Sequence, residues 1–157
     1  MPDSHNFFSK DQKETILNAI REAELNTSGE IRVHIENECE EDVLDRAAFL
    51  FGKLKMDQTA QRNGVLFYLA IASRKFAILG DSGINQCVPE NFWNEIKEDM
   101  AAHFANNEFT EGLTEGIRMA GNSLKEYFPY LTDDVNELSD EISFGEGEDS
   151  PDKGGKP

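Results

Sequence analysis

The chain has 157 residues, 38% hydrophobic and 10% aromatic, which suits one domain with a buried core. Its 31 Asp and Glu against 15 Lys and Arg give a formal charge of −16, which repels phosphate backbones and anionic lipid heads and argues against nucleic-acid and membrane-surface roles. Four of the acids and two of the lysines lie beyond Phe144, so the acidic excess belongs mainly to the part able to fold.

Ser9 and Gln12 have capping-box spacing, and Ile16, Leu17, Ile20 and Ala23 follow at helical intervals until Asn26 and Gly29 break the pattern. Residues 30–36 alternate, with Ile31, Val33 and Ile35 on one face and Glu30, Arg32, His34 and Glu36 on the other. That pattern predicts a half-exposed edge strand. Val43, Leu44, Ala47, Ala48, Leu50, Phe51 and Leu54 mark a second helix. The unbroken apolar run at 65–72 predicts a central strand covered on both faces, and the two-residue link to 75–79 allows a hairpin but no parallel crossover. A helix opened by Pro89 carries Phe92, Trp93, Ile96, Met100 and Phe104. Another, capped by Thr110, carries Leu113, Ile117, Ala120 and Leu124, and its Gly112, Gly116 and Gly121 imply close packing. A last short helix capped by Thr132 would dock Leu131, Val135, Leu138 and Ile142. These elements predict an α/β fold, a three-layer α/β/α sandwich with a small mixed central sheet flanked by helices. The domain is expected over 1–144, with 145–157 a disordered acidic, Gly-rich tail.

With the first two strands parallel and the third returning as a hairpin, three polar loops meet at one end of the sheet. They are residues 27–30, 56–64 and 80–83. They supply Glu30, Asp57, Asn63 and Asp81, with Ser28, Gln58, Arg62 and Ser82 in support. Several oxygen donors on loops suit a hard divalent cation, calcium or magnesium. The same Asn63-Gly64 and Asp81-Ser82-Gly83 also suit plain turn chemistry, with Asp and Asn accepting local backbone hydrogen bonds.

In these loops Ser28-Gly29-Glu30-Ile31-Arg32-Val33, Arg62-Asn63-Gly64-Val65-Leu66 and Gly80-Asp81-Ser82-Gly83-Ile84 follow one another with helices between. In this the sequence resembles the TPM domain family, found in thylakoid lumen proteins linked to photosystem repair and in many bacterial proteins. The match runs over about residues 7–128. The resemblance implies an α/β/α sandwich, divalent cation binding in an acidic loop region, and the acid phosphatase activity of some plant members. Carried onto this chain, it points to Glu30, Asn63 and Asp81. Many members have a signal peptide before the domain and a transmembrane or low-complexity region after it. Here no basic stretch precedes an apolar run at the N-terminus and nowhere do about 18 apolar residues run together, so the expectation is a soluble, cytoplasmic protein.

Hydrolysis of a phosphate ester needs a nucleophile or an activated water, plus positive charge on the phosphoryl oxygens. No Cys-x5-Arg loop, Arg-His-Gly triplet, Asp-x-Asp motif or P-loop occurs, and His5, His34 and His103 are isolated and read as surface groups. Phosphatase chemistry would therefore rest on metal-activated water at Asp57 and Asp81, with Arg62 as the nearest loop cation. Ser82 lacks a nearby His partner. The acidic stretches 36–42 and 133–137 read as solvated, the last acids of the first also favouring the following helix. Cys39 and Cys87 show no zinc spacing and suit a reducing compartment, with one disulfide between them left open. Three functions follow: a divalent cation-binding domain, a metal-dependent phosphomonoesterase, and a scaffold that docks a protein partner.

Overall fold

The computed structural model describes residues 7–130 and 142–145. In chain order these form α1 (Lys10–Glu24), β1 (Glu30–Glu36), α2 (Val43–Lys53), a 3-10 turn (Met56–Gln58), β2 (Gly64–Ala70) and β3 (Lys75–Gly80). There follow the one-turn α3 (Ser82–Asn85), α4 (Asn94–Ala105), α5 (Phe109–Leu124) and β4 (Ile142–Phe144). The sheet order is β3-β2-β1-β4. Strand β1 pairs in parallel with β2 and β4, and β2 pairs antiparallel with β3, so the sheet is mixed.

Local signals explain most boundaries. The capping box opens α1: the Gln12 N–H donates to Ser9 Oγ at 3.1 Å and the Ser9 N–H to Gln12 Oε1 at 2.8 Å. Asp42 caps α2 by accepting from the N–H groups of Leu44 and Asp45. Pro89 lies in a turn ahead of α4 rather than in its first turn, and α5 begins at Phe109, one residue before Thr110, with no side-chain cap. Residues 131–141, with the expected Thr132 cap, and the tail 146–157 lie outside the described residues. Ile142, expected on that helix, sits in β4.

Odd-numbered residues of β1 and β2 face α1, α4 and α5. Ile31, Val33, Ile35, Val65, Phe67 and Leu69 join Ile16, Ile20, Met100 and Ile117 in the larger core. Even-numbered residues of β2 meet α2: Leu66, Tyr68 and Ala70 pack with Ala47, Leu50 and Phe51. Helices thus cover both faces, as expected of the sandwich. The small residues of α5 bring it close to its neighbours. A Cβ at Gly121 would stand 2.7 Å from Ala23 Cβ and 2.9 Å from Ala23 Cα.

Strand β1 is a correction. It is an inner strand with all seven residues buried, not a half-exposed edge. Its polar face is compensated from distant parts of the chain. Arg32 donates to Leu54 O at 3.0 Å. Glu36 accepts from Tyr68 Oη at 2.6 Å and from Arg46 Nε at 3.1 Å, with Arg46 Nη2 on its second oxygen. His34, expected at the surface, is buried between Ser143 Oγ at 2.7 Å and Glu36 Oε2 at 3.4 Å. Burial alone would raise the Glu36 pKa, but hydrogen bonds from His34, Arg46 and Tyr68 and the His34 charge outweigh it and lower it from 4.5 to about 2. Burial and the Glu36 carboxylate push the Tyr68 hydroxyl up, and the Glu36 hydrogen bond holds the Arg46 guanidinium firmly charged.

Two predictions follow from this packing. Because the folded Glu36 pKa is depressed, its stabilisation is complete above the unfolded value of 4.5 and is lost as pH falls towards about 2. The loss amounts to roughly 3 kcal/mol. Denaturant unfolding at neutral and acid pH should show wild type losing about that much more than Glu36→Gln; equal slopes would place the acid sensitivity elsewhere. Gly121→Ala should cost about 1–3 kcal/mol by overpacking against the α1 backbone, read as a drop in thermal midpoint.

Candidate functional site

The parallel register sets Glu30 opposite Gly64, so the loops before β1 and β2 lie side by side. The antiparallel register sets Val65 opposite Gly80, which returns the end of β3 to the same place. Three main-chain hydrogen bonds tie the loops together: Glu30 N–H to Asn63 O at 3.2 Å, Asp81 N–H to Gly64 O at 3.0 Å, and Gly83 N–H to Arg62 O at 2.9 Å. The first loop is also fastened to the end of α5. The Thr27 hydroxyl and the Ser28 N–H both donate to Phe128 O, and Thr27 Oγ1 accepts from the Gly29 N–H at 3.1 Å.

Asn63 is buried and holds the first two loops in contact. Its Nδ2 donates to Ser28 O at 3.3 Å and Ser28 Oγ at 3.4 Å, while its own N–H donates to Thr59 Oγ1 at 3.1 Å. Gln61 Nε2 reaches the same Ser28 hydroxyl at 3.4 Å. Asp81 is buried at the third loop and caps α3 through the Ser82 N–H at 2.7 Å. Arg62, at φ 51°, grips it in a fork, Nε to Oδ2 at 2.7 Å and Nη2 to Oδ1 at 2.9 Å. The hydrogen bond to Asp81 is the main cause raising the Arg62 pKa, and the nearby Asp57 charge adds to it. The loops approach so closely at Gly83 that a Cβ there would lie 2.1 Å from Gln61 O and 2.6 Å from Arg62 O.

Ser28, Arg62, Asn63, Asp81 and Ser82 therefore come together. Glu30 is joined to Asn63 through its main chain, and its buried side chain lies on the Arg32 face of β1. Asp57 is exposed on the 3-10 turn, and Gln58 donates to its Oδ1 at 3.1 Å rather than into the cluster. Among the described residues no group of three or more His, Cys, Asp or Glu side chains could hold a metal ion. Neither described histidine bonds to Ser82: His34 bonds Ser143 and Glu36, and His103 bonds Glu108. Thr27, Thr59 and Gln61 lie within the expected loops but outside the expected donor set, and they too hold the loops together. The one-turn α3 is unexpected, its sequence signal being the Asp81 cap. Of the competing acids, Asp42 caps α2 as anticipated, whereas Glu36 is buried rather than solvated. Cys39 and Cys87 are both free thiols.

This fold has known counterparts. The family model described as the TPM domain matches residues 1–123, and the chain belongs to that family. Among solved structures, it is similar to the BA42 protein of the psychrophilic bacterium Bizionia argentinensis. The two are 45% identical, the match covers 92% of this chain and 100% of that one, and the TM-score is 0.85. The N-terminal domain of a P. gingivalis protein shares the fold at 21% identity and a TM-score of 0.64, with 80% and 82% of the two chains covered. No curated protein matches. Among the described residues no helix is long and apolar enough to cross a membrane.

Gly83→Ala should disturb the site from its backbone. The expected cost is about 1–3 kcal/mol, with amide shifts spreading over residues 61–64 and 81–83. An unchanged thermal midpoint and spectrum would contradict the close approach.

Proposed function

We propose that this TPM domain binds a divalent cation, calcium or magnesium, at the joined loops carrying Glu30, Asp57, Asn63 and Asp81. The observation that supports it best is the meeting of three loops that bring the Asp81 carboxylate, the Ser28 hydroxyl and main-chain carbonyls together, with Asn63 and Ser82 on the same loops. Hard cations favour such donors, and a site here would take Asp81 as its carboxylate with neutral oxygens around it. With few carboxylates in reach, the site draws on neutral oxygens and water, and its dissociation constant is expected on the order of 10⁻⁴–10⁻³ M.

The Arg62 fork occupies three of the hydrogen-bonding positions of Asp81 together with the Ser82 N–H. A carboxylate that ligates a dication cannot keep a guanidinium beside it without like-charge repulsion. Arg62 is therefore the residue that yields when Asp81 becomes a ligand, and its side chain is half-exposed and able to move.

The released guanidinium gives the second reading its basis, a metal-dependent phosphomonoesterase. A bound cation would supply Lewis acidity and an acidified water. Arg62, adjacent on the same loop, would anchor the phosphoryl oxygens. Among the described residues no histidine bonds Ser82, so the protein's own contribution would be orientation and charge.

Backbone-amide NMR titration of the metal-stripped protein with calcium or magnesium should give saturable shifts centred on residues 28–30, 57–64 and 81–83. Asp81→Asn and Asp57→Asn should each weaken binding. Affinity unchanged in both variants, or diffuse shifts over all acidic surfaces, would reject the site. Turnover of a generic phosphate ester that needs the metal and disappears in Asp81→Asn would establish the second reading; metal binding without turnover leaves the first alone.

A further inference from the structure

At the other end of β3 from Asp81, about 20 Å away by strand rise, lies a cavity of about 290 Å³ between the sheet and α4. Leu69, Phe76, Phe104 and Phe109 form its apolar lining, and Ala101 and Ala105, exposed on α4, leave room above it. Phe104 is buried and fixed by an edge contact with Phe76 at 5.0 Å and a stacked contact with Phe109 at 5.4 Å. The lining is thus largely aromatic.

Two cations border this cavity, Arg74 and Lys75, and they differ. Lys75 Nζ is held by Cys39 O at 3.0 Å and Glu41 O at 3.4 Å. Arg74 is exposed, sits at φ 56° in the β2–β3 turn, and donates to Phe104 O at 3.5 Å. In a chain of charge −16, Arg46, Arg62 and Arg118 each bind a carboxylate. Arg74 contacts no carboxylate among the described residues. Its link to the α4 carbonyl complements that helix end, yet it uses one of five guanidinium donors.

We propose that this cavity binds a small apolar carboxylate, its hydrocarbon among Leu69, Phe76, Phe104 and Phe109 and its carboxylate on Arg74. The volume stands at the lower end of ligand pockets, which run to roughly 300–1,000 Å³, and suits a molecule of about ten non-hydrogen atoms. The apolar wall supplies burial, and the guanidinium fork selects a planar anion over a neutral head. This site is separate from the cation site and does not depend on it.

Sodium octanoate and 1-octanol, titrated separately into the full-length protein below the micellar concentration, test the proposal. Saturable amide shifts should centre on Leu69, Phe76, Phe104 and Phe109, with octanoate binding more tightly than octanol. Arg74→Gln should weaken octanoate about tenfold and leave octanol unchanged, the loss of one charged hydrogen-bonding partner. Ala101→Leu, or Ala105→Leu if the first does not fold, should fill the space and abolish binding of both. Absence of saturable shifts, equal affinities for acid and alcohol, undiminished octanoate binding in Arg74→Gln, or binding that survives the filled cavity would each overturn it.

Discussion

The parallel pairing of β1 with β2 is the constraint on which the site depends. Glu30 opposite Gly64 places the Ser28 and Asn63 loops in contact, and the short hairpin leaves β3 no choice but to bring Asp81 back beside them. A slip of one residue would move Glu30, Arg32, His34 and Glu36 to the apolar face, where Ile16, Ile20 and Ile117 pack. The register is therefore fixed by what each face of β1 meets. The loop geometry inherits that precision through three main-chain hydrogen bonds rather than through any side chain.

The face that fixes the register is itself unusual, since it buries a carboxylate and an imidazole side by side, with the partly exposed Arg46 guanidinium against the carboxylate. Desolvation opposes such a cluster, and it persists only because Glu36 receives donors from Arg46, Tyr68 and His34. Those donors come from α2, β2 and β1, and His34 extends the chain to Ser143 on β4. One charged group thus connects both neighbours of β1 to the helix above them. The far end of the same strand carries the candidate cation site, so the interior network and the loops share one rigid element.

The sequence made much of this visible. The apolar run of β2 reads as an inner strand, and the short link after it, residues 71–74 in the structure, leaves room for a hairpin but for no parallel crossover. These two facts bring the three loops together before any coordinate is known. What stayed hidden was compensation at long range. Alternating Glu, Arg and His in β1 look solvent-facing, because their partners Arg46, Tyr68 and Ser143 come from 10 to 109 positions away. Strand β4 is three residues long, too short for an alternation to register, and Ile142 also fits the helical spacing of the residues before it. Arg62 and Asp81 were both singled out, but separately; nothing in their spacing says that they bind each other.

That pairing would make the proposed cation site a competition. Asp81 is held by Arg62 in a charge-assisted fork, and the cation reading requires the fork to open. The Nε–H resonance of Arg62 reports this directly. Followed during a calcium titration, it should move with the same dissociation constant as the Asp81 amide and exchange faster with water as the fork is released. An Arg62 Nε–H that stays protected and unshifted while the loop amides saturate would contradict the account, because Asp81 would then not be a ligand.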